Sequence, residues 1–458
     1  MKLGIWGLLG AGLSLQGLAP AQAPHDSSED FRVYNDAPRL LLTKARLRLL
    51  QRERERKSDR AELFDTYLSN GAPMPEPGFS WALYYQIARD AAAGKKAVDW
   101  ALTDAAKAVT DLRQLALVFD WCGPVMSSDQ ADRLAAKIER GIASAAQSLT
   151  RENETPVQSA RALAAIAIAD RLKDHGESIL RGIVEDWWRR GLIPRLETQP
   201  PPREHIYALV EMLHALRDNL TIDLRDSAPA YFRQLPLDRV TGHYPEPYRG
   251  PNNDFFVPVY LRDGDPNVRE AELSRAGELA LVAYDNNASE AQYLQGWLMQ
   301  DRYLMRDEFG AVYEFLWANP YQPGLSYSLL PLVFHNPANG DVFARTSWEE
   351  DATWIGYFEN HLQLFQEGKL QSLRSGAAAK PVRIGDAVLM NVPAPAPDST
   401  IRFHASTEAT FIMGLEPHRV YDIEIDDEEL AEQETDSGGT MVIALPPDSE
   451  AGVRIRRR

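Results

Sequence analysis

The chain has 458 residues, and 66 acidic side chains against 49 lysines and arginines give it a formal charge of −17. That length is enough for more than one hydrophobic core, and the charged and apolar fractions are those of a soluble globular protein. The negative field argues against nucleic acid and anionic membrane surfaces as partners, because both recruit cations.

The first residues read as an export signal. Lys2 supplies a positive start, Leu3 to Leu18 is apolar and glycine-rich, and Ala19-Pro20-Ala21 offers a cleavage site. Pro24 disfavours the alternative cut after Ala23, so residues 1–21 are the expected signal peptide. The apolar run is short for a hydrocarbon core about 30 Å thick. The mature chain is therefore expected in the periplasm or secreted, without membrane contact after cleavage. Its lone cysteine, Cys122 in VFDWCGPV, leaves no internal disulfide and reads as a small buried apolar residue.

From Thr43 the helical period takes over. LTKARLRLLQRERER has a threonine N-cap and a leucine stripe. SWALYYQIARDAAAG is expected to start on Ser80 and stop at Gly94. Ser127 and Gln130 fit a capping box before a long helix. Some ten or eleven helices with short links and no fixed repeat predict hairpin pairs around a centre, an incomplete (α/α) toroid over 38–335. One Tyr-, Asn- and Pro-rich stretch, 235–266, breaks the run and reads as a functional loop.

After Trp317 a proline-rich crossing leads to strands. DVFARTSW, ATWIGYF and HLQLFQEGKLQSLR alternate as half-buried or buried strands, with Asn339-Gly340 and Glu367-Gly368 as turns. Further strands follow to VRIRRR, read as a basic last strand. The fold class is thus α then β: a toroid, then a smaller antiparallel β-sandwich over 336–458 that includes an immunoglobulin-like strand unit.

Four segments carry a resemblance to a family: Pro38 to Gln51, Asp111 to Leu134, GHYPEPY at Gly242 to Tyr248, and DVFARTSWEEDATWIGYFENH at Asp341 to His361. With them the chain resembles the heparinase II/III-like polysaccharide lyases over most of residues 38–376. The family strand continues as His-x-His-x-Asp, whereas here it reads His361-Leu362-Gln363-Leu364-Phe365. The second histidine and the aspartate are replaced, so no metal site and no cofactor are expected.

The resemblance implies β-elimination on a glycan containing uronic acid. A base takes the C5 proton, an acid protonates the O4 leaving group, and donors neutralise the carboxylate. Tyr248 and Tyr244 are the expected acid or base, with His205 and His361 beside them. Asn252, Asn253 and Tyr207 are the expected substrate-binding residues, and an acidic polysaccharide or oligosaccharide is the expected partner. Two alternatives stay open. One is a relative that binds glycan without turnover. The other is a toroid glycoside hydrolase using a carboxylate pair from Glu204, Glu246 and Asp254. The sequence does not fix the oligomeric state.

Overall fold

A computed structural model describes residues 29–196, 199–250, 254–262, 265–300, 305–359, 361–373, 382–384, 387–391, 400–405, 409–427, 429–445 and 451–458. The export segment expected at 1–21 lies outside them. Among the described residues no helix is long and apolar enough to cross a membrane.

Helices begin where the sequence supplies caps. Thr43 caps α1 (Lys44–Glu55), Ser58 caps α2 (Asp59–Ser69) and Asp90 caps α4 (Ala91–Leu102), each side-chain oxygen accepting an N–H that the first turn leaves open. Between them α3 (Pro77–Ala88) starts on a proline, ahead of Ser80, which is buried inside it. Gly94 is not a stop. It lies within α4, where a Cβ would come 3.0 Å from the Tyr85 ring, so it permits close contact between α3 and α4. Next come α5 (Leu112–Trp121) and α6 (Ser128–Gln147), the latter with the expected Ser127–Gln130 box. α7 (Glu154–Ala167), α8 (Ala169–Leu172) and α9 (Asp174–Arg181) precede a π-helical stretch, Gly182–Leu192. The helical part ends with α10 (Ile206–Leu220), α11 (Pro229–Thr241), α12 (Val268–Tyr284), α13 (Ser289–Leu298) and α14 (Gly310–Trp317).

The packing order is simple. α3, α5, α7, α10, α12 and α14 each contact the next, and Phe79 of α3 meets Tyr313 of α14 at 5.3 Å. Ala162, Ala164 and Ala165 of α7 are fully buried, and small side chains let neighbouring helices approach closely. Cys122 is buried as expected, and burial pushes its thiol up to about 12.

The irregular stretch expected from Leu235 begins later. α11 runs on to Thr241 with Pro236 inside it, so the loop starts at Gly242. Two short hairpins organise it: β1 (Tyr248–Arg249) with β2 (Asp254–Phe255), and β3 (Tyr260–Arg262) with β4 (Asp265–Asn267).

The sheet part opens at Val333 with a meander of five antiparallel strands: β5 (Val333–Asn336), β6 (Asp341–Arg345), β7 (Trp354–Phe358), β8 (His361–Gln366) and β9 (Lys369–Leu373). β5 lies in what the sequence suggested was crossing chain. Glu367 and Gly368 both take positive φ, the two-residue geometry that suits the right-handed twist of a hairpin. β6 and β7 are buried along their whole length, which accounts for their nearly unbroken apolar character. One face turns Phe343, Trp354, Phe358 and Phe365 towards the helical part. The other turns Val342, Ile355, Tyr357 and Leu362 onto a second sheet.

The remaining strands are β10 (Val382–Ile384), β11 (Ala387–Asn391), β12 (Thr400–Ala405), β13 (Ala409–Met413), β14 (Val420–Ile425), β15 (Glu429–Glu434), β16 (Met441–Ala444) and β17 (Ala451–Arg457). They make two four-stranded sheets, ordered β10-β11-β13-β16 and β12-β17-β14-β15. Ile412 and Ile443 join Tyr421, Ile423, Val453 and Ile455 in a core between them. The chain therefore stacks three sheets behind its helices. The expected antiparallel pattern fails at one place: β11 and β13 run parallel. The basic last strand is β17, central in its sheet, with Arg454 paired to Glu424 and Arg456 to Asp422.

Candidate functional site

The sheet fixes the end of α11 and so aims the tyrosine loop. Arg345 Nη2 donates to the carbonyls of Thr241 and His243 at 2.9 and 2.6 Å, and Trp354 Nε1 donates to Thr241 at 3.2 Å. These donors fill carbonyls that a helix C-terminus leaves open, and the guanidinium meets the negative end of its dipole. His243 is buried beyond this clamp, 3.0 Å from Glu278 and stacked on Trp297.

Tyr244 turns inward. It is 0% exposed, its hydroxyl donates to Gln363 Oε1 at 2.6 Å and accepts from the Val259 N–H at 3.0 Å. Its ring stacks on Phe365 at 4.6 Å, and Gln363 Nε2 donates to the Val259 carbonyl at 2.9 Å. Burial pushes the phenol well above its ordinary range. The expectation that Tyr244 acts as acid or base is corrected here, because a sealed phenol with both hydrogen bonds made cannot reach a substrate. The positions that in the family pattern are His and Asp are core positions in this chain: Gln363 stitches the loop to the sheet and Phe365 stacks beneath it. Tyr248, on β1, packs only partly against the same cluster.

Tyr207 also points inward, and its surroundings are full. Arg113 of α5 holds Glu211 through two bonds of 2.7 and 2.8 Å, Glu76 at 3.2 Å and the Tyr207 hydroxyl at 3.0 Å. Tyr207 donates to Glu211 and Tyr313 donates to Glu76, both at 2.6 Å. The rings of Phe79, Tyr207 and Tyr313 flank the guanidinium. At 3% exposure Tyr207 is a member of an ion-paired plug among the inner helices, which corrects its expected substrate contact.

His205 and His361 stay near the surface. His205 ends the turn Arg203–His205 with its side chain 20% exposed and 3.7 Å from Glu204. Burial lowers its pKa, against the opposing pull of Glu204 and Glu359. The Arg203 N–H donates to Glu359 at 2.9 Å, which ties this turn to the β7–β8 turn where His361 begins β8. The tyrosine loop contacts the other end of β8: Glu246 Oε2 would lie 3.1 Å from a Cβ on Gly368. Five residue steps of strand, about 17 Å, separate those ends. The turn that carries His205 is thus tied to the chain just before the His361 end of β8, while Glu246 sits at the other end. Asp254 is exposed on β2. Asn252 and Asn253 lie outside the described residues.

Sequence reasoning missed a cavity at the seam between the helices and the sheets, lined by both charged and apolar side chains. It has a volume of about 210 Å³ and is walled by Pro200 to Arg203, by α11, by the β5–β6 turn and by Ser437-Gly438. Arg203 Nη2 lies 2.5 Å from Asp238 and 3.4 Å from Asp341, and Asn339 Nδ2 donates to both carboxyls. Burial raises Asp341 well above the carboxylate range, and Asp238 beside it adds to that. Burial pulls Asp238 the same way, but Arg203 and Arg239 outweigh it and hold it low. One signal could have found this place: charged residues set in apolar frames, Asp238-Arg239 in LPLDRVTG and Asp341 opening DVFAR. Among the described residues no group of three or more His, Cys, Asp or Glu is arranged to hold a metal ion.

No family model and no curated protein match this sequence. Among solved structures, a chain described as a glycoside hydrolase aligns with it at a TM-score of 0.32 and 9% identity, over 84% of this chain and 71% of that one. An alignment at that TM-score carries no argument about fold or activity.

Proposed function

We propose that this chain is an exported, glycan-binding relative of the heparinase II/III-like lyases, with the helices as an incomplete (α/α) toroid and the three stacked sheets in the place of the expected β-sandwich. In this reading an acidic oligosaccharide lies along the rim of β8, contacted by His205, His361 and Tyr248, and is not cleaved. The observation that supports it is the bond between Tyr244 and Gln363. β-Elimination needs a base, an acid and donors on the carboxylate. One of the two loop phenols, Tyr244, is instead committed to a glutamine in the core. The lyase reading keeps one point in its favour: burial lowers the His205 pKa, the direction that favours the unprotonated form a general base needs.

The test is a panel of uronate polysaccharides, followed by calorimetry and by absorbance of an unsaturated product. Binding that weakens several-fold in His361→Ala, with flat absorbance, is the expected result. Rising absorbance that Tyr248→Phe abolishes would replace this reading with a lyase. New reducing ends without absorbance would favour a hydrolase. Absence of binding to every member of the panel would discard the glycan altogether.

A further inference from the structure

We propose that the groove between α6 and the α4–α5 link binds a small soluble phosphate compound, a pyrophosphate or phosphomonoester that carries more than one negative charge. The groove shares no residue with the β8 rim and does not rest on the reading given for it.

The groove has a volume of about 640 Å³, within the roughly 300–1,000 Å³ of small-molecule sites. Four cations line it, Lys107, Arg133, Lys137 and Arg140, against one carboxylate, Asp104. In a chain of formal charge −17 that is a local reversal of sign. Arg133, Lys137 and Arg140 fall at i, i+4 and i+7, on one face of α6. Like charges at that spacing destabilise a helix, so helix stability does not account for the stripe. Lys107 comes from the facing link, which α6 meets closely: a Cβ on Gly141 would lie 2.3 Å from the Ala108 carbonyl oxygen.

The cations differ in how far they are engaged. Lys137 is anchored, its ammonium donating to the carbonyls of Ala101 and Thr103, both at 2.8 Å, where α4 ends and leaves them open. An ammonium has a third N–H, and that one is left for a ligand. Burial lowers the Lys137 pKa; Asp104 and Asp111 oppose this, and Lys107 and Arg140 add to it. An anion among these cations would relieve their mutual repulsion. Asp111 does not supply it, since its carboxylate already accepts the Lys107 backbone N–H at 2.7 Å. Arg133 pairs with Asp129 at 3.7 Å, but the side chains are 60% and 79% exposed and solvent screens the pair. Lys107 and Arg140 are exposed and make no ion pair among the described residues.

Screening selects a small ligand. Charges act over about 8–10 Å at physiological ionic strength. A compact anion in the groove feels the cations, whereas a polymer or a membrane also meets the rest of a strongly acidic chain and is repelled. Valence selects next. A lone carboxylate answers one cation, while a phosphate brings two charges and several acceptor oxygens, two of which a guanidinium can take at once.

The experiment titrates the full chain with pyrophosphate, glycerol phosphate, acetate and an oligogalacturonate by calorimetry, and sediments it with phosphatidylcholine vesicles that carry phosphatidic acid. Pyrophosphate or glycerol phosphate is expected to bind at one site per chain, more weakly as salt is added. Acetate and the oligogalacturonate should not displace it, and the vesicles should not retain the protein. Lys107→Ala and Arg140→Ala should each weaken it about tenfold, the loss of one charge-assisted contact, and Asp104→Asn should strengthen it. All three side chains are exposed, so these variants should keep the wild-type melting temperature. His361→Ala should leave phosphate binding unchanged. Absence of phosphate binding, binding that both alanine variants retain, displacement by the oligogalacturonate, or vesicle binding that the same variants abolish overturns the proposal.

Discussion

Replacing Tyr244 with phenylalanine separates a structural phenol from a chemical one. The substitution keeps the ring, and so the 4.6 Å stack on Phe365. It removes one oxygen, and with it the donor to Gln363 and the acceptor for Val259. Both partners are left in a core where water cannot replace the lost bond. An unsatisfied buried group costs about 1–3 kcal/mol. The phenylalanine regains part of that because it has no hydroxyl to desolvate. A net loss of about 2–3 kcal/mol follows, a large share of the roughly 5–15 kcal/mol that holds a domain folded. Urea unfolding followed by tryptophan fluorescence is a suitable assay, since Trp354 meets the Tyr244 ring edge-on at 5.0 Å. A cycle with Gln363→Leu sharpens the result. If the hydroxyl acts through Gln363, the double variant should lose less than the two single losses added together. Unchanged stability in the single variant, within about 0.5 kcal/mol of wild type, would refute the assignment. So would loss of a glycan-cleaving activity without loss of stability.

The acid pair predicts a pH signature. Asp341 has its folded pKa raised, so its contribution is fully present below the unfolded value and is lost as pH rises towards the folded one. Asp341→Asn should therefore match wild type near pH 4 and exceed it at pH 7 in urea titrations; the opposite order would mean that Asp341 is ionised in the fold. Two turn glycines should respond unequally to alanine. Gly340 has φ +77° and a Cβ there would lie 2.2 Å from the Gly438 Cα, so Gly340→Ala should cost several kcal/mol and speed proteolysis between the sheets. Gly368, at φ +67° with only Glu246 nearby, should cost about 1–2 kcal/mol. The Cys122 thiol, buried and pushed up to about 12, should resist alkylation in the native protein and react fully in urea.

The sequence was most legible where local chemistry decides structure. The Thr43 cap and the Ser127–Gln130 box hold because side-chain oxygens satisfy neighbouring N–H groups, whatever the rest of the chain does. The hairpin at Glu367-Gly368 holds for the same reason. Gly94 and Pro236 misled because each reads as a breaker when taken alone. Packing needed the first to be small, and the second is accommodated inside α11. β5 was obscured by the prolines around it. The direction in which Tyr244 and Tyr207 point was not readable at all. It depends on Gln363 and Arg113, which are 119 and 94 residues away in sequence. The seam pair Asp238 and Asp341 is likewise a contact across 103 residues.

The polar groups that lack partners say more about ligands than those that have them. Two places where an open cleft would be expected are closed by complete networks, Arg113 with Glu211 and Glu76, and Tyr244 with Gln363. A network that is already satisfied gains nothing from a ligand and resists opening, because breaking it strands buried charge or buried amides. Buried atoms without a partner are different, but only if something can reach them. His243 Nδ1 and Glu278 Oε1 are such atoms, yet His243 is fully buried, lies 3.0 Å from Glu278 and is covered by Trp297. Arg239 Nε is in the same position, without a partner and without accessible surface, although other atoms of its side chain line the seam cavity. A deficit that nothing can reach is a fixed cost of the fold rather than a handle for a small molecule.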